Sequence, residues 1–304
     1  MSEAVRSNGG QLWVDIDSSA HAQLALLETV FHFHPLAIED TLNPRTRVKL
    51  EEYPGYLFMV VRVVDFEDET EERYDVRSHN VYFFLGQNYL VTVHAGHARS
   101  CGEIVQQLDR NPELLGRGAE RLMHAIMDMA VDAYFPLLDR IDDATHQIEE
   151  RVFVEANPAT LREIFAVKRL VLALRKYLAP QRDVFNVLTN RPSVLLSPES
   201  QVYFRDIHDH VLRITESLET YRELLSGALD AYLTQASNQL AVVTKGLTVV
   251  ATLSIPFVMV SGIWGMNFAR IPLSHTTYGF WLLLGAQVAL GVGLLALLRW
   301  RRWL

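Results

Sequence analysis

The chain has 304 residues, in which 28 Lys and Arg stand against 36 Asp and Glu for a net charge of −8. That length admits more than one domain, and the acidic balance argues against nucleic acid as a partner, which would need a basic face. Cys101 is the only cysteine, so no intrachain disulfide can form, and no phosphate loop, zinc-protease helix or nucleophile elbow points to an enzyme.

The opening stretch "MSEAVRSNGGQLWVDID" has no apolar core of signal-peptide type, so the first domain is expected in the cytosol. Residues 1–98 read as an N-terminal α/β domain. "QLWVDI" is strand-like, and "SSAHAQLALLETVF" pairs a capping serine with helical apolar spacing. "YLFMVVRVVDF" and "HNVYFFLGQNYLVTVHA" are rich in β-branched and aromatic residues, and "LGQNY" marks a hairpin turn. Residues 99–197 turn helical, with two long antiparallel helices joined at "EANP". The two parts together predict an α+β cytosolic domain.

Between Glu199 and Ile255 there is no proline, and the glycines are Gly227 and Gly246. A single helix over that stretch would be roughly 85 Å long at 1.5 Å per residue. Such a helix cannot bury its apolar side alone and is expected to lie against copies of itself. We divide it into a stalk, 198–242, and a first membrane span, 243–264. No charged residue occurs from Gly246 to Ala269, and from Ile271 to Leu298 the only ionisable residue is His275. Each run meets the requirement of about 20 apolar residues for a bilayer. The second span is predicted over 278–298, after an outer loop at 265–277, and a basic tail at 299–304 follows. Lys245 before the first span and Arg299, Arg301 and Arg302 after the second outweigh Arg270 in the loop. Both termini are therefore expected in the cytosol, in a multi-pass protein of the cell (inner) membrane.

Steps of three and four residues along the long helix select Asp230, Thr234, Ser237, Ala241, Thr244, Leu247 or Thr248, Ala251, Ile255, Val258 and Gly262. This face is small and modestly polar. It suits either an axis along which ions pass or close helix packing in lipid. It leads to Gly265, Met266 and Asn267. A ring of Asn267 amides could hold a cation through its water shell without the grip of a carboxylate.

Six stretches, "FHFHPLAIEDTLN", "RIDDATHQIEE", "YFRDIHDHV", "ETYRELLSGALDAYL", "SIPFVMVSGIWGMNF" and the terminal "RRWL", resemble the CorA family of divalent-cation channels over nearly the whole chain. The resemblance implies a homopentameric funnel with a pore-lining stalk helix, a selectivity filter at Gly265, Met266 and Asn267, and Mg²⁺ as both cargo and regulator. Co²⁺ or Ni²⁺ is a further expected cargo. It also implies regulatory metal sites between subunits, with Glu39 and Asp40 from one and Asp206, Asp209 and His210 from the next. Two departures stand out: the loop "FARIPLSH" carries Arg270 and Leu273 and no carboxylate, and Trp264 stands where tyrosine is usual. The departures leave room for Zn²⁺ transport, as in another branch of the superfamily, with His275 as a lone loop candidate. A membrane-anchored metal sensor without conduction is a third reading.

Overall fold

A computed structural model describes residues 10–66, 74, 76–96, 98–154, 157–190, 193–266 and 276–301. They divide into two units, 1–229 and 230–304.

The first unit is built on a five-stranded sheet, β1 (Leu12–Asp17), β2 (Lys49–Tyr53), β3 (Tyr56–Phe66), β4 (Val76–Leu85) and β5 (Tyr89–His94). Their order is β1-β5-β4-β3-β2, antiparallel except where β1 runs parallel to β5. Asn80 to Leu85 and Tyr89 to His94 are buried without a break. Both faces of the sheet are therefore covered, which is why these strands read as unbroken apolar runs and not as alternation. One face packs Ile16, Phe58, Phe84, Val91 and Val93 against Leu24 and Leu27 of α1 (His21–Thr29), with Phe31, Phe33 and Ala37 of the loop and α2 (Pro35–Leu42). Phe33 stacks on Phe84 at 4.2 Å. At the β4–β5 turn a side chain on Gly86 would meet the Tyr89 ring at 2.2 Å, so this turn requires glycine.

The expected serine cap of α1 is not formed. The N-cap position falls on Ala20, which has no side chain to cap with, and Ser19 lies one residue earlier in a turn where its N–H is donated to Asp17 Oδ1. The second face of the sheet is covered by α5 (Ala119–Asp132) and α7 (Pro158–Asn190). Between β5 and α5 lie α3 (Arg99–Arg110) and the short α4 (Glu113–Gly116). Helix α6 (Phe135–Val154) pairs with α7, whose start is set by Asn157 accepting from the Ala159 N–H ahead of Pro158.

Helix α8 runs from Pro198 to Trp264, 67 residues, through Pro256. Its first turn follows the sequence "SPES": the Ser197 hydroxyl accepts from the Ser200 N–H, and Pro198 needs no donor there. Glu120 of α5 closes this cap, accepting from the Ser197 N–H at 2.9 Å and from the hydroxyls of Ser197 and Ser200 at 2.8 and 2.7 Å. Within the first unit α8 buries Phe204, Ile207, Val211, Ile214, Leu218 and Leu225, a three- and four-residue stripe.

In the second unit α9 (Gly279–Trp300) lies against the C-terminal part of α8. Gly291 meets the Phe257 ring, where a Cβ would come within 2.6 Å, and Gln287 donates to Ser261 Oγ at 3.2 Å and to the Phe257 carbonyl at 3.4 Å. Both helices are long and apolar enough to cross a membrane.

Glu120→Ala would remove the acceptor of three donors around the start of α8, leaving the Ser197 and Ser200 hydroxyls only each other. We expect a loss of about 1–3 kcal/mol, read as a lowered thermal midpoint of the purified full chain, with Glu120→Gln losing less.

Candidate functional site

Two regions carry the chemistry, one in each unit. In the second, the stripe picked from the sequence is open along α8. Asp230, Thr234, Ser237, Ala241, Thr244, Leu247, Thr248, Ile255, Val258 and Gly262 are exposed, and Ala251 is half-buried. At 100° per residue Ile255, Val258 and Gly262 centre roughly 110° around the helix from Phe257 and Ser261, the residues that meet α9, so the stripe does not overlap that contact. Two of its hydroxyls bond within the helix, Thr234 donating to the Asp230 carbonyl at 2.9 Å and Thr248 to that of Thr244 at 2.8 Å. Their second lone pairs remain for water.

The helix closes with Gly265 donating to the Ser261 carbonyl at 2.9 Å and Met266 to that of Ile263 at 3.3 Å. A Cβ on Gly265 would lie 3.2 Å from the Ser261 carbonyl oxygen, tighter than carbon usually comes to that atom. Met266 is exposed. Asn267, Arg270, Leu273 and His275 lie outside the described residues.

In the first unit, Glu39 is exposed at the end of α2. Asp40 is half-buried and bound to Lys49 Nζ at 2.6 Å, with Thr46 donating to its carbonyl at 3.0 Å. Burial works against the charge on Lys49, but Asp40 and Glu51 outweigh it and raise the lysine above its ordinary range. Asp206 and Asp209 are exposed on α8. His210 faces α5, with Nδ1 3.4 Å from Asp132 Oδ1 and 4.0 Å from Asp128 Oδ1, and its ring meets Phe135 edge-on.

Asp128, Asp132 and His210 thus offer ligand atoms that all lie within 4.8 Å of one another. His124, Asp128 and Asp132 recur at i, i+4 and i+8 in "HAIMDMAVD", which puts them on one face of α5. That spacing is the signal that would have found them, and the sequence reading passed over it. The seam is electrostatically uncomfortable. Burial, then Asp132, pushes the Asp128 carboxyl above the usual carboxylate range, with Asp206 adding to it. Burial, aided by Arg121, lowers His124. Asp128 Oδ1, His210 Nδ1 and His124 Nε2 are buried without a hydrogen-bond partner among the described residues. A divalent cation held by Asp128, Asp132 and His210 would partner Asp128 Oδ1 and His210 Nδ1 together, as counter-charge for the carboxylates and acceptor of the imidazole lone pair. Neither Glu39 nor Asp40 joins a comparable group among the described residues of one chain.

A sheet domain covered on both faces, a helix of 67 residues and a second apolar helix, with two stretches long and apolar enough to cross a membrane, set the class of the protein. The chain belongs to the CorA family: the family model described as CorA-like Mg²⁺ transporter protein matches residues 8–301. It is 35% identical to YfjQ of Bacillus subtilis over 284 residues, 93% of this chain and 86% of that protein. It is 30% identical to the cobalt/magnesium transport protein CorA of Thermotoga maritima over 275 residues, 90% of this chain and 78% of that one. Among solved structures, the complete CorA magnesium transporter of Methanocaldococcus jannaschii shares the fold with a TM-score of 0.85 at 20% identity, over 96% of this chain and 91% of that one.

The raised Asp128 sets a direction for stability. A carboxyl whose folded value exceeds its unfolded one contributes fully below the ordinary aspartate range and loses that contribution as pH rises through the folded value. With divalent cations chelated, Asp128→Asn is therefore expected to melt higher than the parent at neutral pH. The gap should close as pH falls below the ordinary range of aspartate, in thermal unfolding followed by circular dichroism.

Proposed function

We propose that the chain carries divalent cations, Mg²⁺ foremost and Co²⁺ or Ni²⁺ besides, across the cell (inner) membrane. It would act as a homopentamer with both termini in the cytosol and would perform no catalysis. The observation that carries this reading is the open stripe of α8, clear of its contact with α9, which leads without interruption of the helix to Gly265 and Met266, next to Asn267. Five copies of α8 with that face inward would line a path with Ser237, Ala241, Thr244, Leu247, Thr248, Ala251, Ile255 and Val258. Small side chains and hydroxyls give a passing hydrated ion weak, repeated contacts, which conduction requires. Asp230 would supply a ring of carboxylates that raises the local cation concentration at the cytosolic mouth. The names of the Thermotoga and Methanocaldococcus relatives support this cargo.

Asn267 is the filter in this reading, with Gly265 and Met266 shaping the turn before it. Its amide oxygen can accept from the water shell of a cation and has no charge to trap the ion. Asn267→Ala is expected to abolish Mg²⁺ flux in liposomes while the purified oligomer keeps its full size. Parent-like flux and selectivity in that variant would sink the assignment, and a parent that carries Zn²⁺ in preference to Mg²⁺ would establish the zinc reading.

Intracellular Mg²⁺ would close the path by binding Glu39 and Asp40 of one subunit to Asp206, Asp209 and His210 of the next. The exposed carboxylates of Glu39, Asp206 and Asp209 support this reading, and His210 would have to turn from Asp132 of its own chain to join them. An ion held only in the closed arrangement shifts the population toward it. The Asp40–Lys49 pair would have to open or share its carboxylate for direct ligation. Asp206→Ala should stay active at Mg²⁺ concentrations that silence the parent, and unchanged inhibition would exclude Asp206 from the site.

A further inference from the structure

Away from the α5–α8 seam, a second group of metal-ligating side chains meets where the parallel pair β1–β5 faces the first turn of α3. The register sets Asp15 beside Thr92 and Asp17 beside His94, so Asp15, Thr92 and His94 share one face of the sheet. Cys101, the third residue of α3, is fully buried against that face. Ligand atoms of Asp15, His94 and Cys101 all lie within 4.8 Å of one another.

The hydrogen bonds around His94 fix what its ring can do. Nδ1 lies 2.7 Å from the Gly96 carbonyl, which can only accept, so Nδ1 carries the proton. Nε2 then turns toward Asp15 Oδ2, 3.2 Å away. The other Asp15 oxygen accepts from the Thr92 hydroxyl, which itself accepts from Trp13 Nε1 at 3.0 Å. His94 Nε2 and Asp15 Oδ2 thus face each other across a gap that a proton or a metal cation can bridge, and the Cys101 thiol reaches the same carboxylate. Bonds of about 2.0–2.1 Å at a tetrahedral centre hold nitrogen and oxygen roughly 3.3 Å apart. An imidazole tied through Nδ1–H to a backbone carbonyl, beside a hydrogen-bonded carboxylate, has the outer support typical of a metal-ligating pair.

We propose that Asp15, His94 and Cys101 form a binding site for a borderline-soft first-row divalent cation, Zn²⁺ or Co²⁺ and not Mg²⁺. The side chain of Asp15 is 29% exposed and leaves an open fourth position for water. Thiolate and imidazole select against Mg²⁺, which wants oxygen ligands. On binding, the Cys101 S–H bond is replaced by a sulfur–metal bond and the proton leaves to water. The site stands independently of the transport reading, because it involves neither α8 nor Asn267.

Cobalt titration of the purified full-length protein tests it directly. Co²⁺ up to millimolar concentration should give a near-ultraviolet thiolate-to-cobalt charge-transfer band and the strong visible absorption of four-coordinate Co²⁺. Cys101 is the only cysteine, so that band reports this site alone. Zn²⁺ should bleach it, and excess Mg²⁺ should not. Cys101→Ser should abolish it, and His94→Gln and Asp15→Asn should each weaken Co²⁺ binding at least about tenfold. Asn267→Ala, which tests the transport reading, should retain the band. Absence of the band in the parent overturns the proposal whatever the variants do. So does a band unchanged in both His94→Gln and Asp15→Asn, which would mark a lone thiol binding metal by itself.

Discussion

One backbone constraint governs the molecule: helix α8 must satisfy its own hydrogen bonds through two different surroundings. In lipid no water is present to take up a free N–H or carbonyl, so an unbroken helix is one of two backbone forms that can span it. The segment from Pro198 to Trp264 meets that requirement with a single internal proline, Pro256, which lacks an N–H and frees the carbonyl of Thr252 four residues back. The cost is tolerated where the freed group finds a hydroxyl or water. Upstream, the same helix buries Phe204 to Leu225 on one stripe in protein. The sequence therefore changes its pattern along one element, from amphipathic to apolar, without changing its backbone.

The continuity of α8 explains why its start is so firmly secured. A helix with a frayed first turn would lose the packing of Phe204 and Ile207, so Ser197, Ser200 and Glu120 interlock there in four hydrogen bonds. At the other end the helix closes on Gly265, where the Ser261 carbonyl leaves little room for a side chain. Between these two points the stripe is largely exposed among the described residues, and small residues at such a face let backbones approach closely.

The two candidate metal groups differ in chemistry because they differ in setting. Along the α5–α8 seam, carboxylates dominate and Asp206 stands in solvent nearby, an arrangement suited to a hard cation taken with part of its water shell. Beside β1 and β5 the donors are a carboxylate, an imidazole and a buried sulfur, which select a softer ion.

Local chemistry made much of the protein legible. Hydropathy over twenty residues disclosed two helices long and apolar enough to cross a membrane, the absence of proline from Glu199 to Ile255 disclosed a long helix, and helical periodicity groups Asp230 to Gly262 along one face. The Gly-Met-Asn signature, with "HPLAIED" and "YFRDIHDH", disclosed the family. Each of these signals is written within one element, where spacing along the chain is spacing in space. The serine expected to cap α1 shows the limit even there, since the N-cap position falls on Ala20, one residue beyond Ser19. What only the tertiary structure decided are the meetings between elements. His210 comes to Asp132 through the packing of α8 on α5, and Asp40 goes to Lys49 through the turn into β2. Asp15 and His94 are 79 residues apart and meet because β1 joins β5 in parallel register, a pairing that side-chain packing across the sheet determines and no local pattern records.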